Sequence, residues 1–349
     1  MNTMRSQTKN QVAYLSALTL LFSYIETILP RTVPFFRLGL GNIALLMSFS
    51  LAPTPFMALC TVKAAASSMM AGTLFSPFFP VSLAQSIASG FFMYAVSRMN
   101  ARFGGKLFSL YGISVLGSAV SAVVQILCCS LYLGRRTFSL LGAMLIFNTA
   151  SGIITAFVCG KIGNPSIEKT GTICARLAET DGSSEHKRKS RHAQMVLAVA
   201  LLLSAASVFF VKSIPVLVLA FCLSLAAQKR CGRNILILPH LSLWIFVLAS
   251  ALLVPEGKVI MKIGSIAVTQ GALVSGIQKS LRLSAASALS QCAVVLRPQK
   301  DSVLALSLLY YRAMSDTFRN SEGGIFRRIQ KTLGTGTGDD GNHSATETL

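Results

Sequence analysis

Between Lys63 and Arg98 the chain runs 34 residues without a charged side chain, and six more such intervals follow the same pattern. They cover 38–62, 107–134, 137–160, 192–211, 213–228 and 234–255, from 16 to 28 residues each. A helix rises about 1.5 Å per residue, so roughly 20 apolar residues cross about 30 Å of hydrocarbon. In lipid only helices and closed barrels satisfy their own backbone groups. Continuous apolar runs without period-two alternation select the helix. The pattern predicts spans near 12–30, 38–53, 55–73, 78–98, 107–134 and 138–160, then near 194–211, 213–228, 234–254 and 275–296. Ala52-Pro53-Thr54-Pro55 punctuates the second and third spans; Gly72, Ser76, Pro77 and Pro80 break the longest interval.

Of the 349 residues only 13% are charged, where a soluble protein carries about a quarter, and 52% are hydrophobic. The net charge of +20 would suit a nucleic-acid partner only on an exposed face beside a soluble core, whereas here the cations sit between apolar runs. Lys and Arg in short loops mark the cytoplasmic side. With Arg5 and Lys9 inside, Arg98, Arg102 and Lys106 also fall inside, as do the basic residues from Lys161 to Arg191, then Lys229, Arg230 and Arg233, and the tail from Arg297. Arg31, Arg37, Arg135 and Arg136 fall outside. The expectation is a multi-pass protein of the cytoplasmic (inner) membrane, embedded in the lipid bilayer with its N-terminus cytoplasmic and no nucleic-acid partner.

Residues 164–193 turn polar, with mixed charges and Ser, Gly and Thr, and are expected to be a cytoplasmic linker between membrane domains over 1–163 and 194–331. The Gly/Thr-rich stretch 332–349 is expected to be a disordered tail. There is no phosphate-loop motif, no H-E-x-x-H and no paired C-x-x-C. Cys60, Cys128, Cys129, Cys159, Cys222 and Cys292 lie in apolar runs, where thiols pack as small hydrophobes. The adjacent acidic pair Asp339-Asp340 lies in the tail. No catalytic group, metal site or cofactor is expected.

An ionisable side chain at the bilayer centre costs about 2.5–3.5 kcal/mol on insertion scales, so each one needs a reason. Glu26 lies near the outer end of the first span and Lys63 amid a long apolar stretch. Arg37 opens Arg37-Leu38-Gly39-Leu40-Gly41-Asn42-Ile43, where the glycines let backbone or ligand approach closely. One reading is a polar cavity lined by Glu26, Arg37, Asn42 and Lys63 that binds a small solute from outside. The other is an ion pair of Glu26 with Lys63 or Arg37, fixing helix packing.

The segments Ile25-Glu26-Thr27-Ile28-Leu29-Pro30, Arg37 to Ile43, and Gly72-Thr73-Leu74-Phe75-Ser76-Pro77 resemble, in order, a membrane family described as heptaprenyl diphosphate synthase component I, or Gx transporter. The resemblance covers about 12–162. That family looks related to the substrate-binding (S) subunits of energy-coupling factor (ECF) importers. The resemblance implies six helices with both ends cytoplasmic and an outward-facing pocket, with Glu26, Arg37, Gly39, Asn42 and Lys63 as solute-binding residues. More weakly, Gly264 to Gly271, Gly276 to Leu283 and Ser290-Gln291 are similar to the transmembrane (T) subunit of those importers. It implies cytoplasmic amphipathic coupling helices over Leu304 to Arg328, with Arg312, Arg319, Arg327 and Arg328 facing separate ATPase subunits; contact of those arginines with anionic lipid is the competing reading. The expected fold is therefore an all-α polytopic protein: a six-helix S-like bundle, then a four-helix T-like unit with amphipathic helices. The expected function is a membrane component of an ECF-type importer. The alternative is an accessory subunit of a heptaprenyl diphosphate synthase, without a catalytic site of its own.

Overall fold

The computed structural model describes residues 2–28, 39–71, 73–76, 78–162, 191–232, 234–235, 237–252, 258–263, 266–292 and 302–333. The first half holds α1 (Asn2–Ile28), a 3-10 turn (Leu40–Asn42), α2 (Ile43–Leu46), α3 (Pro53–Ala71), α4 (Phe78–Arg102), α5 (Leu110–Leu133), a second 3-10 turn (Arg135–Leu140) and α6 (Leu141–Ile162). Among the described residues, three stretches are long and apolar enough to cross a bilayer: Phe78–Arg102, Leu110–Leu131 and Thr137–Ile162. At most 39% of each is buried inside the protein, so each keeps partly or fully exposed residues for lipid. This is a multi-pass membrane protein.

Helix α1 behaves differently. From Val12 to Phe22 every residue is buried, including Tyr14, Ser16 and Thr19, so α1 is the axis of the bundle. Around it pack α3, the short α2 segment and, from the second half, a later amphipathic helix. Helices α3 to α6 then pack in sequence, each against the next through small residues or polar pairs. Gln85 Nε2 donates to Ser121 Oγ at 2.5 Å and to Gln125 Oε1 at 3.3 Å across α4 and α5, and Ser114 Oγ donates to Gly152 O at 2.8 Å across α5 and α6.

The second half comprises α7 (Arg191–Phe210), α8 (Ile214–Arg230), α9 (Ile237–Leu252), an antiparallel hairpin of β1 (Val259–Ile263) and β2 (Ile266–Thr269), α10 (Gln270–Gln291), α11 (Val303–Asn320) and α12 (Ile325–Leu333). Helix α10 is its hub. Arg282 donates through Nε and Nη2 to Val211 O at 3.1 and 2.7 Å, satisfying a carbonyl left open at the end of α7. Trp244 Nε1 donates to Ser284 Oγ at 2.9 Å, and Gln228 Nε2 to Gln291 Oε1 at 2.9 Å. The halves meet directly. The Phe75 N–H donates to Ser290 Oγ at 2.7 Å, and Tyr310, Met314 and Phe318 of α11 share one apolar core with α1.

Three expectations are corrected. The described part of the span expected near 38–53, residues 39–53, does not form a spanning helix, so the first half has five long helices among its described residues, not six. A left-handed Gly39, the glycine at 41 and the turn before Pro53 break the segment, and its burial between helices removes the requirement for unbroken helix. The second unit is not purely helical, because β1 and β2 pair from Val259↔Thr269 to Ile263↔Ile266. Its helices are also short: the apolar part of α7 covers Met195–Phe210, and α8 and α9 have 17 and 16 residues, about 24–26 Å long. Where a tail was expected from Thr332, α12 continues to Leu333, which is fully buried in the α1 core. The linker over 164–193 lies outside the described residues up to position 190.

A Cβ on Gly152 would lie 2.5 Å from Ser118 Oγ, 3.0 Å from Val115 Cα and 3.1 Å from Ser114 O, and the backbone of α5 cannot yield as a side chain would. Gly152→Ala is therefore expected to destabilise the α5–α6 contact by about 1–3 kcal/mol. Gly142→Ala, with nothing within 4 Å, is expected to leave stability unchanged or slightly higher. Thermal unfolding of both variants in one detergent checks the pair.

Candidate functional site

The polar residues that a bilayer makes expensive gather where the 3-10 turn meets α1, α3 and α6. Gly39 is left-handed, with φ 67° and ψ 19°, and its carbonyl accepts from the Asn42 N–H at 2.8 Å. This tight turn aims Asn42 at α3, where Lys63 Nζ donates to Asn42 Oδ1. Both side chains are half-buried. With Oδ1 engaged by Lys63, the Asn42 amide nitrogen lies on the side of Gly39. A Cβ at Gly39 would sit 3.0 Å from Ser151 Oγ, 3.5 Å from Asn42 Nδ2 and 3.9 Å from Thr155 Oγ1. Polar atoms from the turn and from α6 thus converge on one point that glycine leaves open. On the other side Gly41 lets α1 pack close, with Ser23 Oγ 3.0 Å and the Thr19 methyl carbon 3.4 Å from its would-be Cβ.

Of the five solute-binding candidates, Gly39, Asn42 and Lys63 come together. Glu26 lies in α1, but its side chain and the whole of Arg37 fall outside the described residues. Hydroxyls that sequence reasoning missed complete the cluster. Ser151 and Thr155 are spaced i, i+4 in an apolar helix, which puts them on one face, and Thr155 Oγ1 donates to Ser151 O at 2.8 Å. That spacing was the available signal. Lys63 adds a cation with three N–H donors, of which Asn42 takes one. Together the groups can donate to and accept from a small polar molecule.

Residues 15–162 match the family model described as heptaprenyl diphosphate synthase component I. That stretch belongs to the component I family. It contains the entire Gly39–Asn42–Lys63 cluster and ends with α6. Residues 188–295 match a domain of unknown function, DUF8519, which assigns no role to the second half. No curated protein and no solved structure matches the chain.

The four arginines of the expected coupling region do not face the component I domain. Arg312, Arg319 and Arg327 are exposed, while Arg328 turns back to donate from Nε to Gly323 O at 2.9 Å. What touches the component I domain is the opposite face of α11. Ser307, Tyr310, Met314 and Phe318 are buried there, and the Tyr311 ring stands edge-on to Tyr24 of α1 at 6.4 Å.

Gly39→Ala would force an L residue into the left-handed region and place its methyl against Ser151 Oγ. It is expected to cost about 1–2 kcal/mol and to loosen the turn that aims Asn42. Asn42→Ala keeps the backbone but removes the amide oxygen to which Lys63 Nζ donates, and both variants are expected to lower the unfolding midpoint in detergent.

Proposed function

We propose that the component I domain is the solute-binding membrane part of an ECF-type importer, and that the second half links it to ATPase subunits carried on separate chains. The observation behind this reading is the meeting of Lys63, Asn42 and the Gly39 turn with two α6 hydroxyls inside an apolar bundle. An ammonium kept at this depth is costly, and groups kept at such cost default to function. The solute enters from the outer side, near the C-terminal end of α1, and the N-terminus is cytoplasmic by the distribution of Lys and Arg in the loops. Packing of α11 along α1 gives the second half a mechanical hold on the solute site. The chain itself supplies no catalytic group in this scheme.

The family description favours a second reading, a membrane accessory subunit of a heptaprenyl diphosphate synthase. Purification of the full chain in lipid nanodiscs separates the two. The importer reading expects a small molecule retained by the wild type, detected by mass spectrometry of the denatured sample, and lost in Lys63→Ala and Asn42→Ala while folding persists. It also expects ATPase subunits to co-purify. Co-purification of a prenyltransferase subunit, with no retained solute and no ATPase, would transfer the chain to the second reading.

A further inference from the structure

We propose that the basic end of α4 carries a second site, separate from the Lys63 cluster, that holds the phosphate group of an anionic membrane lipid between Arg98 and Arg102. An open cavity of about 530 Å³ there is lined by Pro53, Tyr94, Arg98, Ala101 and Arg102. Arg98 is anchored rather than free to wander. Its Nε and Nη2 donate to Tyr94 Oη at 2.9 and 2.7 Å, and Nη2 also donates to Leu51 O at 3.0 Å. Tyr94 donates its own hydroxyl hydrogen to the same carbonyl at 3.0 Å, and the Arg98 guanidinium carbon lies 5.0 Å from the Tyr94 ring centroid.

A guanidinium has five N–H donors in a rigid fork. Among the described residues, the bonds to Tyr94 and Leu51 engage Nε and Nη2 and leave the Nη1 edge uncommitted. Arg102 follows one turn later, exposed and on the same cavity. Neither arginine pairs with a carboxylate among the described residues. The backbone beneath is equally fixed. Asn100 accepts the Leu107 and Phe108 N–H groups at 3.0 Å each and donates to Phe108 O at 2.8 Å, while Gly104 and Gly105 make the left-handed turn at φ 71° and 76°.

One anchored arginine and one exposed arginine a turn later, with no carboxylate partner among the described residues, at the end of a helix apolar enough to span, call for an anion from outside the chain. The bilayer supplies phosphate at that depth, and basic pockets between spanning helices bind lipid head groups. Arginine forks suit phosphate oxygens in pairs. Pro53 and Ala101 add an apolar wall for the part of a lipid next to its phosphate.

The test is native mass spectrometry of the full chain in detergent micelles doped with phosphatidylglycerol, with inorganic pyrophosphate in a parallel arm. The wild type is expected to retain phosphatidylglycerol. Arg102→Gln is expected to lower its occupancy about fivefold, the scale of one cation at a lipid surface. Lys106→Gln, a nearby cation outside the cavity, is expected to change occupancy less than about twofold. Arg98→Gln is expected to act at least as strongly as Arg102→Gln. Because Arg98 also ties down Leu51, the decisive variant is Arg102→Gln, whose side chain holds no other element. Equal losses from Arg102→Gln and Lys106→Gln would mean diffuse surface charge and overturn the site. Arg102-dependent retention of pyrophosphate without retention of the lipid would overturn the membrane source.

Discussion

Encasing α1 on every side is the constraint from which the rest of the architecture follows. A helix buried all round cannot rely on lipid for any face, so each face must be met by protein. Polar positions inside it survive by local means, as when Thr19 Oγ1 donates back to Leu15 O at 3.1 Å. The segment from Gly39 to Ser48 fills one face, and it approaches so closely at Gly41 that a Cβ would meet Ser23 and Thr19. Irregular backbone at membrane depth is costly only where lipid can reach it. Here Ile43, Ala44 and Leu45 are fully buried, so a 3-10 turn and a four-residue helix can stand where a spanning helix would otherwise be required.

The same irregularity creates the polar cluster. A regular helix through residues 38–53 would commit the Gly39 carbonyl and the Asn42 N–H to its own ladder and turn Asn42 wherever the 3.6-residue period dictated. The left-handed Gly39 instead sets the direction of Asn42, and Lys63 meets it from α3. Burying an ammonium without partners is prohibitive, and hydrogen bonding to an amide oxygen recovers part of the lost hydration. The turn and the charge therefore depend on one another: without Lys63 the turn has less to hold, and without the turn Lys63 loses a partner.

Much of this was legible in the sequence. The spans expected near 78–98, 107–134 and 138–160 correspond to α4, α5 and α6, because lipid imposes length and apolarity directly on residues. Asn42 and Lys63 stood out for the same reason. The broken segment at 38–53 did not, since a buried irregular stretch and a spanning helix are equally apolar, and only the Gly-x-Gly spacing at 39 and 41 hinted at the break. The hairpin was recoverable from the β-branched residues flanking Gly264-Ser265, a two-residue turn signal hidden inside a basic inter-span region. The pairing of Arg282 with Val211 and of α11 with α1 had no local signature, because both are long-range contacts made by residues that would suit many partners.

That last contact changes what coupling through α11 would have to be. An amphipathic helix presented to an ATPase groove ordinarily offers its apolar face, with the charges at the rim. In this chain the apolar face, Tyr310, Met314 and Phe318, is already committed to α1, and only the side carrying Arg312, Asp316 and Arg319 is exposed. A partner meeting α11 as it stands therefore meets charge. Exposed charge pairs contribute little individually and weaken as salt shortens the Debye length below about 10 Å. Any motion transmitted to α1 along this route would pass through a firm apolar contact on one side of the helix and a soft, salt-sensitive one on the other.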